Sequence, residues 1–206
     1  MHITSVEGSK KNKDKLLIYV DNNFSFSISE EEYVALNLYE DKDITEEEYN
    51  HIKYNIYYRS AKCIAVKYLS LKIRTEAKVV EKLVSEAFDE GTIADVIDEL
   101  KSIGYLNDRI YAQKFLYDRS KLKPKAKKLL RLELLSKGVS EEVADEVLND
   151  WEIDESVIIE NLIKRKFGKY DLTDVKVFKK AFSFLQHRGF SYDLIAEAMR
   201  NRDLVD

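Results

Sequence analysis

The strongest chemical signal in this 206-residue chain is a set of eleven cations. Arg119, Lys121, Lys123, Lys125, Lys127, Lys128 and Arg131 crowd one short stretch, and Lys164, Arg165, Lys166 and Arg188 follow further on. Side chains of this kind bind anions, through the point charge of an ammonium or the planar fork of a guanidinium. Residues 109–138 hold ten basic side chains against Asp118 and Glu133, whereas residues 140–158 hold eight acidic ones and no basic one. Blocks of this size steer association and orient a partner more than they stabilise a fold. Three uses compete for the basic block: a nucleic-acid backbone, an acidic protein groove, or a solvated helix face beside an acidic neighbour. Tyr111, Phe115 and Tyr117 interleave the charges, but the i, i+4 spacing of Tyr111 and Phe115 suits a core better than a stacking platform. On a helix over 124–137, Ala126, Leu129, Leu130 and Leu134 share one side. Lys127, Lys128 and Arg131 share the other, so this trio is expected to face outward.

Other chemistry is thinly represented. The six glycines form neither GxGxxG nor GxxxxGK, so the usual backbone cradle for a nucleotide phosphate is missing. His2, His51 and His187 stand far apart, with no HExxH and no GxSxG elbow. Cys63 lies among Ile64, Ala65 and Val66, where a buried structural thiol is expected rather than a nucleophile. One cysteine builds neither a disulfide framework nor a cysteine-rich zinc site. The acidic runs Glu30–Glu32 and Glu46–Glu48 sit at helix starts, where the helix dipole favours them. The expectation is a protein with no catalytic residue, no cofactor and no metal. The longest apolar run is the five residues Leu16–Val20, too short to cross a membrane. No basic start with an apolar segment follows Met1, which makes the cytoplasm the expected compartment. The net charge of −4 names no partner by itself.

The elements that must position these cations are helical. Hydrophobic residues make up 45% of the chain, and one proline with six glycines leaves few helix breaks. The opening differs. Ile3–Val6, Lys15–Val20 and Phe24–Ile28 read as strands, the last two flanking the turn Asp21-Asn22-Asn23. Phe24, Phe26 and Ile28 alternate with serines, giving a β-hairpin with one apolar face that should pack on the following helix. Ser29 with Glu32, and Thr45 with Glu48, carry the capping-box pattern of a helix start. Nothing breaks the helix from Glu46 to Lys72.

Beyond it the chain repeats. Ala87-Phe88-Asp89, Gly138-Val139-Ser140 and Gly189-Phe190-Ser191 recur at a spacing of 51 residues. Each ends on a residue whose side-chain oxygen caps a helix N-terminus, and two begin on the glycine that left-handed C-caps prefer. Ala87 departs from that pattern and is expected to make a different turn. Apolar positions keep the same step: Val79, Leu130 and Ala181; Leu83, Leu134 and Leu185; Val96, Val147 and Ala198; Ile97, Leu148 and Met199. The fold expected is mainly α, with three tandem three-helix repeats in an elongated array and a small N-terminal β-hairpin. The boundaries are a hairpin with a short helix over 1–44 and repeats over 45–105, 106–153 and 154–206. Pro124 is expected in the first turn of its helix. Stacked repeats present a continuous flank to a partner, and a monomer is expected because short arrays cap their own ends.

Arg74-Thr75, Gly104-Tyr105-Leu106-Asn107-Asp108, Ala112, Phe115, Arg119, Glu133-Leu134, Lys137-Gly138-Val139, Leu185 and Arg188-Gly189-Phe190 together resemble the bacterial RecX regulators. The resemblance covers roughly residues 60–200. It departs from the family pattern at Asn107, where an acid is common, and at Lys123-Pro124, which lacks a preceding glycine. It implies a tandem helical array that binds the RecA recombinase filament on single-stranded DNA and hinders its growth, ATP turnover and strand exchange. A helical nucleic-acid-binding module built from helix-turn-helix-like repeats is the competing reading. Under either, the eleven cations are the expected partner-binding residues, with weak direct DNA contact as a further possibility.

Overall fold

A computed structural model describes residues 1–202; residues 203–206 of the third expected repeat lie outside the described residues. The chain divides into two compact units, Met1–Asn107 and Asp108–Asp206.

In the first unit, β1 (Ile3–Gly8), β2 (Lys15–Val20) and β3 (Asn23–Ser29) form an antiparallel sheet in the order β1-β2-β3. The strand expected over Ile3–Val6 forms, runs on to Gly8 and pairs with the first strand of the expected hairpin. Asp21 and Asn22 link β2 to β3 with both φ angles positive, 49° and 65°, the hand that matches strand twist. Ile18, Val20, Phe26 and Ile28 turn into the core. Phe24 lies past a break in the β2–β3 register after Ile18, stays 37% exposed and packs edge-on against Tyr19, so it leaves the expected apolar face.

Ser29 and Thr45 cap α1 (Glu30–Ala35) and α2 (Glu46–Asn50), each with both halves of the capping box. The helix that follows is not uniform, contrary to expectation. His51–Tyr58 winds as a π-helix before α3 (Arg59–Ser70). Ile52 and Tyr57 are five residues apart, which places them about 140° apart on an α-helix. Both are nonetheless buried, and the wider i→i+5 winding brings them to one side. Ala61 and Ala65 hold the core-facing positions of α3, so Cys63 is exposed and is not the buried thiol expected. With α4 (Glu76–Ser85) and α5 (Glu90–Ser102) this makes the first repeat, whose core is continuous with that of the sheet through Phe26, Ile28, Tyr57, Leu83 and Ile97.

The second unit holds the other two repeats. The first of these is α6 (Asp108–Leu122), α7 (Lys127–Ser136) and α8 (Glu141–Asn149). The other is α9 (Glu155–Phe167), α10 (Val175–Gln186) and α11 (Tyr192–Arg202). The repeat register survives folding, and all four apolar triplets are buried. Asp89, Ser140 and Ser191 accept from the backbone N–H of Thr92, Val143 and Leu194. Ala87, Gly138 and Gly189 all adopt positive φ, at 65°, 85° and 87°. Ala87 thus makes the same turn as the two glycines, against expectation. The bonds from Phe88 N to Leu83 O and from Ala87 N to Val84 O are the pair that defines a Schellman C-cap. Pro124 also departs from its expected place: α7 is capped at Ala126 and begins at Lys127, leaving the proline in the connection ahead of it.

Candidate partner-binding surface

The second unit spends some of the eleven cations internally, gathers others in one place and leaves Lys121 and Lys128 exposed apart from both. Those on the inner side of α7 are spent within the molecule. Arg131 Nε lies 2.5 Å from Asp145 Oδ1 and its Nη2 lies 2.9 Å from Glu141 Oε2, tying α7 to α8. These carboxylates raise the Arg131 pKa, and the Arg131 hydrogen bond in turn lowers that of Asp145. Lys127 donates through Nζ to the Leu148 carbonyl at 3.1 Å, and its backbone N–H to Glu155 at 2.7 Å. The expected outward trio is therefore broken up: only Lys128 is exposed, because the acidic helix α8 packs on the side where Arg131 and Lys127 emerge.

Arg119 and Lys125 converge on Glu133. Lys125 bonds one carboxylate oxygen, and Arg119 Nε approaches the other at 2.9 Å as an ion contact without hydrogen-bond alignment. Burial pushes the Glu133 pKa up, but the two cations outweigh it and hold the carboxyl below its usual range. Arg119 also stands 5.0 Å from the Phe115 ring centroid, so it is a packing residue as much as a charge. Lys121 donates to the Tyr117 hydroxyl and lies 4.0 Å from that ring while remaining exposed.

The gathered cations come together where the last two repeats meet. Arg188, just before the Gly189 turn, donates to the Pro124 carbonyl at 2.7 Å, and the Arg188 carbonyl accepts from Ala126 N–H at 3.0 Å. Gly189 is required here twice over. Its φ is 87°, and a Cβ would stand 2.5 Å from Leu129 Cγ. Lys166 and Arg188 share the Phe184 ring, at 3.7 and 4.5 Å from its centroid. Beside them opens a cleft of about 480 Å³ lined by Ser120, Pro124, Ile158, Asn161, Leu162, Lys164 and Arg165. Burial and the nearby charge of Arg165 lower the Arg188 pKa. Lys123, Lys164 and Arg165 are exposed and form no ion pair with any described residue. The sequence singled out the cations of this surface but missed Ser120, Pro124, Ile158 and Asn161. Ile158 is masked by its neighbours Ile159, Leu162 and Ile163, which fill the core. Ser120 and Asn161 carry no periodic signal at all.

Among the described residues, no group of three or more His, Cys, Asp or Glu side chains is arranged to hold a metal ion, and no helix is long and apolar enough to cross a membrane.

Comparison with known proteins places the whole architecture. Residues 1–45 match the RecX N-terminal domain, and residues 61–100, 107–148 and 154–199 match the first, second and third RecX three-helix domains. A regulatory protein RecX of Clostridioides difficile (strain 630) is 34% identical over 201 residues, covering 96% of this chain and 93% of the relative. One of Finegoldia magna is 31% identical, covering 94% and 96%. Among solved structures, a crystal structure of regulatory protein RecX superposes with a TM-score of 0.61 at 22% identity, covering 95% of this chain and 98% of that one. A RecX from Lactobacillus salivarius gives 0.60 at 24% identity over 72% of this chain and 97% of that one, and both show the shared fold. With four RecX domains in order and relatives above 30% identity along almost its full length, the chain belongs to the RecX family of regulatory proteins.

Proposed function

We propose that this chain binds the RecA recombinase filament on single-stranded DNA and restrains its growth, ATP turnover and strand exchange. It acts by occupancy, without nucleotide, metal or catalytic residue, and as a cytoplasmic monomer. The observation that carries this reading is the cluster of Lys164, Arg165 and Arg188 at the junction of the last two repeats, held without a carboxylate partner among the described residues. Charge left uncompensated beside eight acidic residues of the preceding segment is charge kept for something outside the fold. Bridging neighbouring RecA protomers from this surface blocks the addition of the next one. The test measures RecA ATPase and filament length on oligothymidylate with and without the chain. Inhibition with a light-scattering mass near 24.1 kDa is the expected result. No effect at saturating concentration, with tight binding to bare DNA, transfers the function to nucleic-acid binding.

A further inference from the structure

The cleft at the junction of the last two repeats is more selective than a positive patch. Pro124, Ile158 and Leu162 give it an apolar lining, which it shares with the exposed Lys164 and Arg165. Arg188 joins them through its bond to the Pro124 carbonyl. Arg109, Arg119 and Arg131 in the same unit each meet a carboxylate, whereas Arg165 and Arg188 meet none among the described residues. Two guanidiniums within reach of each other repel, and a planar fork is best neutralised by a carboxylate or a phosphate. The apolar lining separates these two anions. A phosphodiester backbone has no group to bury against Pro124, Ile158 and Leu162. A nucleic acid would also want an aromatic face for its bases. No aromatic side chain lines the cleft, and the Phe184 ring beside Arg188 is already occupied by Lys166 and Arg188. An aliphatic side chain next to an acidic one uses both features.

Resting on the reading of this surface as the one that meets the filament, the geometry points to an acidic, apolar-flanked protein segment as the occupant of the cleft. Its carboxylate lies between Arg165 and Arg188, and its neighbouring aliphatic side chain lies on Pro124, Ile158 and Leu162. Asn161, an exposed lining residue, shapes the cleft without carrying charge.

The experiment has two arms on the full chain. In the first, fluorescence anisotropy follows a labelled synthetic peptide of alternating Glu and Leu, the same peptide with Ser for every Leu, and oligothymidylate. The Glu–Leu peptide binds most tightly, and Arg165→Glu and Asn161→Trp each weaken it about tenfold, with circular dichroism unchanged. Equal or tighter binding of the Ser peptide or the oligonucleotide overturns the proposal, as does full binding by Asn161→Trp. In the second arm, both variants lose RecA ATPase inhibition in parallel with peptide binding. Full inhibition by Asn161→Trp overturns the cleft as the docking site and leaves the RecA reading standing. A parent chain without effect on RecA overturns that reading, and the peptide arm alone then decides the chemistry of the cleft.

Discussion

At the scale of single residues, the three repeat turns form an internal experiment. Each holds its C-cap residue at positive φ, but only the second and third place glycine there. An L-residue in that conformation costs about 1–2 kcal/mol relative to glycine, so Ala87 carries strain that its counterparts do not. Ala87→Gly is expected to raise stability by about 1 kcal/mol in urea denaturation. The bond from Ser27 to the Ala87 carbonyl is backbone-directed and survives the change. Gly189→Ala is the converse. It adds the same strain and drives a methyl into Leu129, and about 1–3 kcal/mol of destabilisation is expected. Equal effects of the two substitutions would contradict the turn assignment. His2 offers a residue-scale test of pH. Its ring bonds Asp43 at 2.9 Å and faces Asp41 at 3.4 Å, and chiefly the Asp43 bond raises its pKa above the reference of 6.5. A group with a raised folded pKa stabilises fully below its unfolded value and loses that contribution as pH climbs through the folded one. The first unit should therefore melt at a lower temperature at pH 8 than at pH 6, and His2→Gln should flatten the difference. An unchanged slope in that variant assigns the pH effect elsewhere.

At the scale of elements, the π-helix is the feature that sequence patterns conceal. Residues 51–58 serve Ile52 and Tyr57 by widening the turn, which amounts to one residue more than an α-helix of the same reach requires. Deleting the exposed Asn55 makes Ile52 and Tyr57 i, i+4 neighbours on an ordinary helix, and a cooperative melt close to that of the parent is expected. Deleting Cys63 instead turns Ala65 and the helix beyond it by about 100° relative to the Ala61 side that packs on the core, and a broad or absent transition is expected. If the Asn55 deletion unfolds the chain and the Cys63 deletion does not, the register argument fails. The contrast also explains what could be read in advance. Strands, capping boxes, repeat caps and the buried triplets follow from local chemistry and periodicity, which a sequence displays. The π winding, the exposure of Cys63 and the left-handed Ala87 follow from what packs against what. Among the cations the same division holds. Charge at Lys164, Arg165 and Arg188 was legible, but nothing local announces that Arg131 has Asp145 opposite it or that Arg188 reaches Pro124.

At the scale of the whole molecule, alternating charge blocks do two jobs that substitution can separate. The basic block 109–138 and the acidic block 140–158 meet inside the second unit, where Arg109 pairs with Glu146 and Asp150, and Arg131 with Glu141 and Asp145. These pairs neutralise much of what composition suggests is available to a partner. What remains outward is smaller and includes Lys114, Lys121, Lys123, Lys128 and the end of α9. Reversing Lys164 and Arg165 together to Glu touches no ion pair formed by a described residue. Filament binding should fall about tenfold or more at low salt while the melting temperature stays put. Because the Debye length shrinks from about 10 Å at 0.1 M to about 3 Å at 1 M, the gap between parent and variant should narrow as salt rises. Reversing Arg131 to Glu sets it against Asp145 and Glu141, so thermal stability should drop before binding can be judged. Lys128→Glu, on the same helix but exposed, is the matched control that leaves the fold alone. If Arg131→Glu melts like the parent and abolishes binding, the basic face of α7 is the contact surface after all. The cluster beside Pro124 is then only its neighbour.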